Sequence, residues 1–160
     1  MEIQIITKQA FSVIGKEGQG PAAEGPQWIP TLWQAANAHF AEIVPLVKLH
    51  ETTKAPLIWG AMSDVGGTFK PWDVQGKYLA GCEAMDGADA PAGWTKWTIP
   101  GFTYVAAECT QSGYGETFWY VLKEYFPENG YTLAGAVHEF YPQPGNTDLL
   151  VLYFPIERVE

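Results

Sequence analysis

Residues 113–157, GYGETFWYVLKEYFPENGYTLAGAVHEFYPQPGNTDLLVLYFPIE, read as a helix, a strand, a turn and a strand. Phe118, Val121, Leu122 and Tyr125 recur at helical spacing, and Gly130 is placed to end the helix in a left-handed turn. In AVHEFYPQP, residues 136–144, alternation puts Val137, Glu139 and Tyr141 on one side of a strand and His138 and Phe140 on the other. A turn is expected at GNTD, residues 145–148, before the closing strand LLVLYFPIE. Leu150, Leu152 and Phe154 form its more continuously apolar set and are expected under the helices, leaving Leu149, Val151 and Tyr153 for the other face. Just upstream, the latter part of WTKWTIPGFTYVAAECTQ, residues 94–111, is a further strand.

The preceding half of the chain repeats this order. Residues 2–18 alternate as a strand, a Gly/Pro-rich loop covers 19–27, and 28–44 carry Ile29, Leu32, Trp33, Ala36, Phe40 and Ile43 on one helical face. Two short strands follow, PLIWGAMSD (56–64) and KYLAGCEAM (77–85), separated by the Gly/Pro-interrupted VGGTFKPWDVQG. The expected fold is therefore α+β: one domain over 1–160, a pseudo-twofold duplication of strand-helix-strand-strand units, repeat one about 1–87 and repeat two about 94–160. Two such units pair into a largely antiparallel sheet with both helices on one face. The other face, or the seam between the halves, is then free for a ligand cleft.

Composition narrows the function. The 160-residue chain has 9 Lys plus Arg against 18 Asp plus Glu, a formal charge of -9, which opposes autonomous nucleic-acid binding. No apolar run is long enough to span a bilayer and the N-terminus does not read as a signal peptide, so a cytoplasmic protein without a membrane partner is expected. Cys82 and Cys109 suit reduced, buried thiols, while His39, His50 and His138 show no metal-ligand spacing; neither metal nor cofactor is expected. DVGGTF lacks the Lys-Ser/Thr of a phosphate loop, and Ser63 and Ser112 have no nucleophile elbow around them.

Two carboxylates, Glu83 and Glu139, stand inside strand-like runs. A buried, isolated carboxylate takes up a proton or requires a cation or donors such as tyrosine hydroxyls, and a ligand cation flanked by aromatic rings satisfies it well. Glu83 taken alone reads better as an exposed edge residue. Tyr153 is a candidate for the same surface as Glu139 and Tyr141, whereas Trp33, Phe40, Phe118 and Tyr125 belong to helical core stripes.

In order and spacing, IWGAMSD, FKPWD, GKYLAGCEAMDGADAPAGWTKWTIPGFTYVAAE, FWYVLKEYFPENGY, HEFYP and FPIE resemble stand-alone members of the GyrI-like effector-binding family, over about residues 57 to 160 and more loosely upstream. The resemblance implies two strand-helix-strand-strand units around an aromatic cleft that accepts bulky, often cationic, small molecules. It implies Glu139 at the base of the pocket, Tyr153 and Tyr141 beside it, and Trp59, Trp94, Trp97 and Tyr104 as wall residues; Glu83 joins them as a ligand-binding candidate. The family's domain also ends multidrug-responsive transcription activators, but no DNA-binding segment is expected here. Some stand-alone relatives are hydrolases that open cyclopropane rings of DNA-alkylating natural products, with Glu139 and Tyr153 or Tyr141 as the matching catalytic pair. A third implied role is a protein-interaction module such as a gyrase-modulating inhibitor.

Overall fold

The N-terminal alternation is broken at Gln9 and Ala10, so what reads as one strand is two: β1 (Ile3–Lys8) and β2 (Phe11–Pro21). A computed structural model describes residues 2–142 and 148–159. After β2, α1 covers Gly25–Ala38, β3 Ile58–Ser63, β4 Gln75–Glu83, β5 Thr95–Ile99 and β6 Phe102–Thr110. A helix then begins as α2 (Tyr114–Tyr120), passes through a π-helical stretch at Val121–Tyr125 and ends as α3 (Phe126–Asn129). The last strands are β7 (His138–Tyr141) and β8 (Leu149–Arg158). Of the turn expected at 145–148, only Asp148 lies within the described residues.

The eight strands of the described residues form one antiparallel sheet in the order β1-β6-β8-β7-β3-β4-β2-β5. That order is unchanged from either edge when β1–β4 exchange with β5–β8, with the β3–β7 pair at the centre. Two of these strands go beyond the six expected of two strand-helix-strand-strand units. Each half begins with a strand that leaves its own half: β1 crosses to pair with β6, and β5 crosses to pair with β2. Residues 94–99 show weak alternation, because β5 is an edge strand with only Ile99 buried.

The first helix also differs in its bounds. It starts at Gly25, carries Pro26 in its first turn, and stops at Ala38, short of the expected 44. Beyond it, two 3₁₀ turns at Phe40–Glu42 and Val44–Leu46 continue the apolar stripe without a regular helix, with Pro45 unable to donate a helical hydrogen bond. In the second helix, Gly130 adopts φ 71° and ends it as expected.

Register across the sheet places both helices on one face. Ile14, Cys82, Ile58 and Tyr141 are successive cross-strand partners, and Leu150 pairs onward with Cys109. At one end of the sheet Ile14 and Cys82 pack with Ala36 and Ile43 beneath α1; at the other, Leu150, Leu152 and Phe154 pack with Val121 and Phe126. The expected division of the closing strand therefore holds. The opposite face buries Phe11, Val13, Trp59, Ala61, Leu79 and Ile99, with Phe69, Trp97, Phe140 and Tyr153 against them.

Candidate functional site

Glu139 occupies the middle of the sheet. On one side it pairs with Gly60 across the central β3–β7 seam, and on the other with Leu152 of β8. Alternation aims it, with Tyr141, at the face that carries the helices, in the interval between α1 and α2. The carboxylate is buried at 7% exposure.

Its partners are tyrosines from three separate elements. Tyr78 of β4 donates to Oε1 at 2.5 Å, Tyr141 donates to the same oxygen at 3.1 Å, and Tyr114 at the start of α2 donates to Oε2 at 2.6 Å. Tyr78 in turn accepts the indole N–H of Trp33 on α1 at 3.1 Å. The Trp33 ring also stands edge-on to Tyr141, centroids 5.4 Å apart. Among the described residues no ammonium or guanidinium forms a salt bridge with Glu139.

Gly60 makes this assembly possible. A side chain there would put its first carbon 2.0 Å from the Tyr78 hydroxyl and 2.6 Å from Glu139 Oε1. Glycine on β3 thus leaves the space in which a phenol from one neighbouring strand meets a carboxylate from the other.

Burial pushes the Glu139 carboxyl above its ordinary value of 4.5, opposed by the hydrogen bonds from Tyr114, Tyr78 and Tyr141. Burial, followed by the nearby Glu139 charge, pushes Tyr78 and Tyr114 well above 10, and Tyr141 moves the same way. These phenols stay neutral donors throughout the physiological range. The arrangement can hold a negative charge in an aromatic shell, or hold a proton.

The other candidates divide between the two faces. Tyr153 pairs in register with His138 and so faces away from Glu139, packing on Trp59 and Tyr104 with ring centroids 5.0 and 5.3 Å apart. Tyr153 therefore does not stand beside Glu139 as expected: both residues lie in strands, but the β7–β8 register puts them on opposite sides of the sheet. A Glu139–Tyr153 catalytic pair is excluded by the same geometry. Trp59, Trp97 and Tyr104 also lie on the Tyr153 face. Trp94 lies on the helix face beside α1, donating its indole N–H to Glu42 at 2.9 Å, under the Lys16 ammonium.

Glu83 is neither exposed nor near Glu139. At 3% exposure it accepts the Trp59 indole N–H at 3.1 Å and is bridged by Lys8 at 3.2 Å and Lys48 at 3.5 Å. Its charge is already met inside the chain. The edge-strand reading fails because β1 and the 44–57 segment bring these two lysines over the end of β4.

His138, immediately before Glu139, is buried against the other face and accepts the Met62 backbone N–H at Nδ1, 3.1 Å. Burial alone lowers its pKa to about 3, so it is a neutral structural histidine. Among the described residues no cluster of His, Cys, Asp and Glu suits a metal ion, and no helix is long and apolar enough to cross a membrane. Tyr78 and Tyr114 are not among the residues expected at the site, and Trp33, expected as part of a helical core stripe, also reaches the site. Strand parity in KYLAGCEAM was the available signal for Tyr78, since it shares a face with Ala80 and Cys82.

Two open surface grooves of about 710 and 720 Å³ run along α2 and the 44–57 segment, and neither reaches Glu139. A smaller cavity of about 320 Å³ lies under α1 and is walled on one side by Trp33.

The GyrI-like small molecule binding domain model matches residues 1–157. The chain belongs to this family. No curated protein matches the GyrI-like chain. Among solved structures it resembles SAV2435 bound to tetraphenylphosphonium, with a TM-score of 0.71, 15% identity, and coverage of 98% of this chain and 94% of that one. A putative transcription regulation protein from Staphylococcus aureus MU50 gives 0.68 at 14% identity, covering 98% and 99%. EcmrR in its complex with DNA gives 0.67 at 15% identity, covering 99% of this chain but 58% of EcmrR. At such identities these likenesses speak for the fold.

Proposed function

We propose that this GyrI-like chain, acting as one domain of two repeats, binds bulky hydrophobic cations over the central seam with Glu139 as charge partner. The observation that carries the reading is a buried carboxylate whose own partners are three neutral phenols, with no internal cation among the described residues. Glu83 provides the contrast. There the chain supplies two ammonium groups of its own; at Glu139 it supplies an aromatic shell and leaves the countercharge to come from outside. Trp33, Tyr78 and Tyr141 offer ring faces and edges beside that charge. The presence of tetraphenylphosphonium in the SAV2435 structure supports the same ligand class.

Proton linkage follows. Burial raises the Glu139 pKa in the free protein, and a bound cation favours the ionised form, so binding expels whatever proton the carboxyl carries. Affinity for a cation therefore rises with pH until Glu139 is ionised before binding.

The experiment is titration of Glu139→Gln with tetraphenylphosphonium and with a neutral aromatic of similar size, triphenylmethanol. Two unit charges about 5 Å apart at an effective dielectric near 20 interact by about 3 kcal/mol, or roughly 100-fold in Kd. Selective loss of the cation by that order is expected. Equal loss of both ligands overturns charge recognition.

The raised pKa of Glu139 also favours a second reading, hydrolysis of an electrophilic small molecule with Glu139 as general acid and base and the Tyr114 or Tyr141 hydroxyl orienting substrate. A new product by mass spectrometry, lost in Glu139→Gln, distinguishes it.

A further inference from the structure

The two sides of Glu139 are built differently. Toward α2, Phe118 and Phe126 pack onto Phe154, with centroids 5.5 and 6.1 Å apart, and Val121 closes over the same core. Toward α1 the packing leaves a partly open cleft. The cavity of about 320 Å³ there is walled by Trp33, Phe40, Ile43, Ile58, Cys82 and Trp94.

Trp33 separates this cavity from the tyrosine shell of the carboxylate. Cys82 and Ile58, in the cavity wall, are cross-strand partners, and Ile58 pairs onward with Tyr141. Trp33 fills the step between them: it lines the cavity, donates to the Tyr78 hydroxyl, and stands perpendicular to Tyr141 at 79°. Tyr78 and Tyr141 both donate to Glu139. Rotation of the Trp33 indole would open the cavity onto Tyr78 and Tyr141, the donors to Glu139, without moving a strand. The cavity volume is at the lower end of the roughly 300–1,000 Å³ of small-molecule sites, enough for one ring system and too small for a whole tetra-aryl cation.

We propose that the cavity under α1 takes one flat aromatic arm of the ligand, with Trp33 as the partition that admits it, while the ligand's cationic centre stays at Glu139. The proposal rests on the Glu139 reading for its second half only. It defines the ligand class more narrowly: a cation carrying at least one protruding ring of about phenyl to naphthyl size. Specificity for the arm lies in α1 and the first half of the sheet, and specificity for charge at the seam.

Cys82 is a reporter already in the cavity wall. Burial pushes its thiol up to about 12, so alkylation is slow and a ligand's slowing of it is readily timed. In a Cys109→Ser background Cys82 is the one remaining thiol of the chain. N-ethylmaleimide labelling is followed by mass spectrometry with neutral biphenyl and with tetraphenylphosphonium. Biphenyl is expected to slow Cys82 labelling at least 10-fold, equally in Glu139→Gln, because the cavity itself carries no charge requirement. Tetraphenylphosphonium is expected to do the same, at a concentration at least 10-fold higher in Glu139→Gln. Ala36→Leu, which fills the cavity from the buried face of α1, should weaken protection by both at least 10-fold.

Unchanged labelling with tetraphenylphosphonium overturns the proposal, and biphenyl then locates the fault. Protection by biphenyl alone leaves the cavity standing and removes the cationic ligand; protection by neither removes the cavity. These results need no mutation within the cavity, so a poorly folded Ala36→Leu would not rescue the idea.

Discussion

Gly60→Ala adds one methyl group at the centre of the tyrosine shell, and its cost can be worked from the geometry. The new carbon would stand 2.0 Å from the Tyr78 hydroxyl, 2.7 Å from its ring carbon and 2.6 Å from Glu139 Oε1, where ordinary contact begins at 3.4 Å. Tyr78 must retreat by about 1.4 Å, and it is fully buried with Trp33 behind it. That movement breaks the Tyr78–Glu139 bond, a loss of about 1.5–3 kcal/mol for a charge-assisted contact, and overpacking adds about 1–3 kcal/mol. Replacing glycine in a strand returns about 0.5–1 kcal/mol of chain entropy. The net destabilisation is about 2–5 kcal/mol, and at about 2–4 °C per kcal/mol for a domain of this size Tm should fall by roughly 5–15 °C. Differential scanning calorimetry reads it, with Gly115→Ala as control, since nothing lies within 4 Å of a side chain there. A Gly60→Ala melting point within about 2 °C of wild type, with tetraphenylphosphonium affinity unchanged, would refute the argument that the seam glycine holds the shell together.

Stability of Glu139→Gln against pH tests the burial of the charge. The folded pKa of Glu139 is raised, so the folded state holds its proton more tightly than the unfolded chain; wild-type stability from this group is full below pH 4.5 and declines as pH rises toward the folded value. Chemical denaturation of the glutamine variant should lack that decline and gain on wild type as pH increases from 4 to 8, and parallel curves would contradict it. Tyr153→Phe should leave tetraphenylphosphonium affinity within about 2-fold, because its hydroxyl is on the far face; a 10-fold loss by calorimetric titration would bring the far face into the site. Lys8→Met removes one of two ammonium groups from buried Glu83 and should cost about 1–3 kcal/mol in urea denaturation, with Lys48 limiting the loss. No change there would mean that Lys48 and Trp59 alone satisfy the carboxylate.

The residues that were legible and those that were not differ in a physical way. Periodicity is a property of one strand or one helix, so the facing of Glu139 with Tyr141, and of Leu150, Leu152 and Phe154, could be read from their own neighbours in sequence. Which face of one strand continues that of another depends on register, and a shift of one residue would have moved Tyr153 to the side of Glu139. Strand swapping was hidden for the same reason: β1 and β5 alternate as strands whichever half they join, and only pairing decides. The shell around Glu139 is the extreme case, since its hydroxyls come from residues 61, 25 and 2 positions away and only the last obeys a local period. Yet the sequence holds the trace of this arrangement in Gly60. Between Trp59 and Ala61, in a buried strand, a glycine has no advantage of propensity, and a missing side chain there marks a place where something else must approach. The position opposite it is Glu139.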